Sequence, residues 1–121
     1  DKSFRRIINE VEIKNYLIKR NFKLLKLHEM DFLNQVHIFN NADCIVGLHG
    51  AGFANLAFCK NNTKIIEFRT EKTGKVIENI AKLNNLKFRS IICKPISHDY
   101  SEQSGHIKIS LDILEQILQD V

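Results

Sequence analysis

A chain of 121 residues that is 44% hydrophobic and 26% charged has the composition of one globular domain, with a core large enough to fold without disulfides or a metal. Its net charge of +4 is scattered, with no run of about five or more like charges and no basic stripe carrying interleaved aromatics, which argues against a nucleic-acid partner. No stretch approaches the ~18 apolar residues of a membrane span, and no signal peptide opens the chain, so no direct membrane insertion is expected.

The first predicted element is a helix over 7–19, with Val11, Tyr16 and Leu17 facing inward and Asn21 stopping it. Residues 22–27 alternate like a strand. Asp31 is an N-cap for a helix to Asn40, with Phe32, Val36 and Phe39 on one face. A short apolar strand over 44–47 leads into the turn His49-Gly50-Ala51-Gly52, and a short helix follows over 52–58. Lys60, Asn61 and Asn62 form a turn before a β-branched strand over 63–68. A helix opening at Thr73 or Gly74 runs to Asn84 with Val76, Ile80 and Leu83 on one face. A strand over 87–93 ends before Pro95, residues 97–105 form a polar loop, and Ser110 caps a last helix whose face is Leu111, Leu114 and Leu118, with Ile117 nearby.

Helix and strand therefore alternate about four times, the pattern of an α/β domain with a mostly parallel sheet, helices on both faces and right-handed crossovers. The expected fold is a Rossmann-like, three-layer α/β/α domain of about four strands spanning 1–121. Ligands of such sheets sit beyond the carboxyl ends of the strands. The turn 47–52 lies at such an end, as do Arg69 and Thr70. There, unpaired backbone N–H groups and the positive end of a helix dipole favour an anion, and the glycines are expected to admit close approach and positive φ. The reading is that this turn grips the diphosphate of a nucleotide-sugar.

Arg5 and Arg6 are the expected counter-ions, because a guanidinium fork matches phosphate oxygens and cations are otherwise unfavourable at a helix start. His49 is placed to donate to a phosphate or sugar oxygen, and Gly50, Ala51 and Gly52 to supply backbone donors. Asn55 either bonds the ligand or fixes the loop. Glu67, ending an apolar strand, suits ribose hydroxyls or pairs with Arg69 or Lys64. Asn9 and Glu10 compensate the helix dipole or orient an arginine or a sugar hydroxyl. The catalytic base is not identified, with His49 and Glu10 as the candidates. The histidines have no metal-ligand spacing and no Asp-x-Asp motif is present, so no metal or other cofactor is expected. The three cysteines, Cys44, Cys59 and Cys93, lack metal or redox spacing and sit in apolar surroundings, as in reduced cytosolic proteins. Asn61-Asn62-Thr63 fits the N-glycosylation pattern, a three-residue match that carries meaning only in a secreted protein.

Ser3 with Arg5-Arg6, Ile8-Asn9-Glu10, Phe32 with Gln35, His49-Gly50-Ala51-Gly52 with Asn55, and Ile65-Ile66-Glu67 occur in an order that resembles the donor-binding half of glycosyltransferase family 61. Gln35 is singled out by that resemblance alone; its position suits a helix-packing amide. The resemblance implies an inverting, metal-independent enzyme of two Rossmann-like domains of the GT-B type, acting in surface or capsular polysaccharide synthesis. The nucleotide-sugar, expected to be UDP-linked, is held by the C-terminal domain, and a glycan acceptor by an N-terminal domain. A chain opening on Asp1-Lys2-Ser3 is expected to be a fragment holding only the first of these, its opening strand missing or replaced, in a bacterial cytoplasm rather than the secretory lumen. Two alternatives compete. A non-catalytic or degenerate Rossmann-like module would keep the fold without the chemistry. An esterase would need a Gly-x-Ser-x-Gly elbow, and the chain has none.

Overall fold

The computed structural model describes residues 7–71, 73–93 and 107–119, with Ala51 described by its backbone alone. Arg5, Arg6, Pro95 and the loop 97–105 lie outside these residues. The element order is α1 (Glu10–Lys19), a 3₁₀ turn (Leu27–Glu29), α2 (Phe32–Asn41), β1 (Cys44–Leu48), a 3₁₀ segment (Ala51–Phe58), β2 (Lys64–Arg69), α3 (Val76–Leu83), β3 (Lys87–Ile92) and α4 (Leu111–Gln119). Contacts divide the chain into two compact units. In their described parts, one holds 7–25, 69–71, 73, 91–93 and 107–119, and the other 26–68 and 74–90.

The second unit carries the body of the sheet, in strand order β1-β2-β3. β1 and β2 are parallel, with Ile45 opposite Ile65, Gly47 opposite Glu67 and Leu48 opposite Phe68. Backbone bonds from Lys87 N–H to Thr63 O and from Cys93 N–H to Arg69 O advance together along both strands, so β3 is parallel as well. Among the described residues the sheet has three strands, and parallel strands joined through helical segments make the chain α/β.

Phe39, Phe53, Leu56, Ile65, Ile77, Ala81 and Leu86 form the core of this unit. The Asp31 side chain caps α2 by accepting from Asn34 N–H at 2.8 Å. α3 ends in a Schellman motif: Leu86 N–H reaches Ala81 O, Asn85 N–H reaches Lys82 O, and Asn85 takes the left-handed conformation at φ 59. The buried residues of α3 are Ile77 and Ala81; of the expected Val76, Ile80 and Leu83, only Ile80 packs against the core, half-buried. Val76 and Leu83 are 62% and 84% exposed, because the helix turns its smallest residue, Ala81, to the crowded core.

In the other unit the chain pairs before α1. Ile7 and Ile107 form a parallel bridge, and Ile8 N–H donates to Ile107 O at 2.7 Å. This extended pairing displaces the expected helix start from residue 7 to Glu10. Ile13 and Leu17 face inward, whereas Val11 is 72% exposed and Tyr16 only half-buried. Asn21, at φ 69, closes α1 with the same Schellman pattern, Phe22 N–H to Leu17 O and Asn21 N–H to Ile18 O. Ser110 Oγ caps α4, which buries Leu114, Ile117 and Leu118.

The expected strand over 22–27 does not form. Residues 22–26 lack regular structure, and Leu24 and Leu25 are each 47% exposed, so the alternation finds no ladder to join. Among the described residues no helix is long and apolar enough to cross a membrane. Leu56 is fully buried among seven core residues, so Leu56→Ala is expected to cost about 2–5 kcal/mol in urea or guanidinium unfolding of the purified protein. A loss under about 1 kcal/mol, the scale of a conservative core swap, would contradict this packing.

Candidate functional site

Side chains alternate faces along a strand, and partners in a parallel ladder share a face. Gly47 lies opposite Glu67, so His49, two residues past Gly47, projects on the same face as Glu67 and diagonal to it. The His49 backbone continues the ladder, its N–H donating to Phe68 O at 2.9 Å. The two side chains meet: His49 Nδ1 is 2.5 Å from Glu67 Oε2, with Glu67 1% and His49 29% exposed. An ionised carboxylate only accepts, so the hydrogen between them sits on Nδ1 and Nε2 is left for a ligand.

His49 also lines a cleft of about 290 Å³, together with Gly50, Ala54, Val76, Ile77 and Ile80. Val76, Ile77 and Ile80 supply one apolar wall from α3. The turn and the 3₁₀ segment supply the other. The first bond of that segment is Phe53 N–H to Gly50 O, so the Ala51 and Gly52 amides precede the ladder at its positive end.

The glycines act differently from the expectation. None of the described glycines takes the left-handed conformation, and Gly50 is extended at φ 170, a conformation open to any residue. Gly47 is small because the Phe53 ring lies against it: a Cβ there would be 3.3 Å from Phe53 Cζ. Gly52 faces Leu27, whose Cδ1 would lie 3.0 Å from a Cβ. At Gly50 the nearest atom to such a Cβ is Leu48 O at 3.9 Å, an ordinary contact, so neither crowding nor conformation requires a glycine there. The expected α-helix over 52–58 is a 3₁₀ segment that begins at Ala51.

Gln35 and Asn55 are occupied with the scaffold. Gln35 Nε2 donates to Leu27 O at 2.8 Å and to Met30 O at 3.0 Å, while Gln35 Oε1 accepts from Asn55 Nδ2 at 2.8 Å. One amide thus ties α2 to the 3₁₀ turn before it and to the segment that carries the site. Glu67 is buried against His49 and is not among the residues lining the cleft.

Asn9 and Glu10 belong to the other unit. Asn9 pairs with the Ile109 backbone, donating from Nδ2 to O at 2.7 Å and accepting at Oδ1 from N–H at 3.0 Å, and Glu10 pairs with Lys14 at 3.2 Å. Asn9 makes no side-chain cap, since both ends of its amide are spent on Ile109. In the same unit Arg69 Nη1 donates to Thr73 O at 3.0 Å, and the Thr70 and Thr73 hydroxyls are 3.0 Å apart. Burial pushes the Cys44 and Cys59 thiols up to about 11, which keeps them protonated and poor nucleophiles near neutral pH. The apolar wall of α3 escaped sequence reasoning, because nothing local marks Val76, Ile77 and Ile80 as neighbours of a turn some 25 residues earlier. The His49–Glu67 pairing had a usable signal, the two-residue alternation once β1 and β2 are taken as adjacent parallel strands.

A sequence profile of the family described as Glycosyltransferase 61 matches residues 1–66. The chain is similar to the EGF domain-specific O-linked N-acetylglucosamine transferases of Drosophila melanogaster, 26% identical over 106 residues, and Mus musculus, 27% over 108. The enzyme of the same name from Pan troglodytes is 28% identical over 108 residues. Each match covers 85% of this chain and 20% of the relative, so the chain spans about a fifth of the length of the curated relatives it matches. No solved structure matches it. The relatives overturn the expected bacterial cytoplasmic setting: they are animal enzymes named for EGF domains, which are disulfide-dense modules of secreted proteins.

Gln35→Ala leaves the Leu27 and Met30 carbonyls and the Asn55 amide without their partner, and is expected to lower unfolding stability by about 1–3 kcal/mol. No change in the denaturation midpoint would show that this amide does not hold the segment.

Proposed function

Because the chain belongs to glycosyltransferase family 61, we propose that it supplies the nucleotide-sugar site of an inverting glycosyltransferase of the secretory lumen. The acceptor is a hydroxyl of an EGF-type domain and the sugar is N-acetylglucosamine, carried on UDP. The names of the relatives support that acceptor and that sugar, and move the acceptor from the expected capsular polysaccharide to a protein. The observation that carries the assignment is the His49 ring, fixed from behind by buried Glu67 and set on the rim of a cleft at a helical N-terminus.

The chemistry follows from the charges. The acceptor oxygen bonds to the anomeric carbon as the bond from that carbon to the diphosphate breaks, and negative charge grows on the departing diphosphate. A protonated His49, its charge balanced by Glu67, donates from Nε2 to a diphosphate oxygen. The Ala51 and Gly52 amides add fixed dipoles of the same sign. Preorganised donors aimed at developing charge cost no reorganisation in the transition state. Gln35 and Asn55 act through the backbone they hold. The base that takes the acceptor proton comes from the acceptor-binding part of the protein.

With UDP-N-acetylglucosamine as donor, His49→Ala is expected to lower turnover by about 10²–10³, the scale of one lost charge-stabilising donor. Glu67→Gln works through the same ring, so the double variant is expected to lose little beyond the worse single variant. Unchanged turnover in His49→Ala, or losses that multiply in the double variant, would contradict the assignment.

A further inference from the structure

We propose that Asn61 is an N-glycosylation site, a reading that rests on the luminal setting proposed above. The acceptor triplet is Asn61-Asn62-Thr63, with no proline at its centre. Lys60, Asn61, Asn62 and Thr63 form a turn closed by Thr63 N–H to Lys60 O at 3.4 Å. Asn62 takes φ 71, the left-handed value of the third position of a type II turn, and Asn61, at the second, is exposed. Among the described residues none hydrogen-bonds the exposed Asn61 side chain, so a bulky substituent on Nδ2 displaces no such bond.

The same turn sets when the modification happens. Thr63 is 1% exposed, and its hydroxyl donates to Lys60 O at 2.8 Å. An enzyme that reads the hydroxyl of the triplet reaches it only before this turn closes, so the glycan is added to the emerging chain and stays on the surface after folding. In that step Asn61 Nδ2 bonds to the anomeric carbon of a lipid-diphosphate-linked oligosaccharide. The bond from that carbon to the diphosphate breaks, and the amide proton leaves with the lipid diphosphate.

The sheet also keeps the glycan away from the cleft. The turn precedes the start of β2, whereas His49 follows the end of parallel β1. The five paired positions between these ends separate them by roughly 15 Å at ~3.3 Å per residue. The glycan therefore leaves access to His49 open.

The test is site occupancy in the full-length protein produced in animal cells, with a second acceptor triplet appended in a flexible tail as a reporter of luminal delivery. Peptide N-glycosidase in heavy-oxygen water converts each glycosylated asparagine to a labelled aspartate read by mass spectrometry. Label at both positions is expected, with Thr63→Ser retaining it and Asn61→Gln removing one glycan from the gel mobility while turnover stays within about twofold. Label on the reporter with position 61 bare would overturn the site and leave the luminal setting standing. Label at neither would overturn both.

Discussion

A carboxylate taken out of water is costly unless a partner meets it, and Glu67 is such a carboxylate, at 1% exposure. His49 is a partner that meets it, at 2.5 Å, and the parallel register of β1 on β2 makes the meeting possible. Because Gly47 has no side chain, the Phe53 ring packs over the strand beside the pair, which anchors the start of the 3₁₀ segment to the sheet. The contact with His49 that satisfies the buried carboxylate thus fixes the direction of the ring. An imidazole held this way presents one nitrogen to the cleft at little entropic cost, since its rotamer is already chosen.

The scaffold around the pair is built to keep it there. Gln35 links three backbone segments through one amide, and Asn55 carries that link into the 3₁₀ segment that follows Gly50. These are residues that the family resemblance associates with donor binding. In the fold they hold the walls of the site, and α3 brings an apolar surface opposite the ring. A cleft with one polar edge and one apolar wall can hold a charged group at the ring and an apolar face against α3.

What could be read in the sequence divides along physical lines. Local signals were legible: the Asp31 and Ser110 caps, the apolar runs of β1 and β2, and the turn at His49 each depend on residues within a few positions of one another. Signals that depend on distant partners were not. The 22–27 alternation looked like a strand because periodicity reports a face and not the ladder it needs. The faces of α1 and α3 were misassigned at Val11 and Val76 because each helix carries more apolar residues than the core takes, and packing rather than period chose which of them are buried. The glycines were read as backbone freedom, whereas Gly47 and Gly52 are small to admit Phe53 and Leu27. The meeting of Glu67 with His49 was not foreseen because its neighbour across the sheet lies 18 residues away in sequence.

The most direct test is a structure of the full-length protein with UDP bound. The account requires a diphosphate oxygen within about 3 Å of His49 Nε2, hydrogen-bonding distance, while Nδ1 stays on Glu67 and the α3 wall covers the ligand. A diphosphate bound out of reach of His49, with the cleft beside Val76 and Ile80 empty, would contradict it.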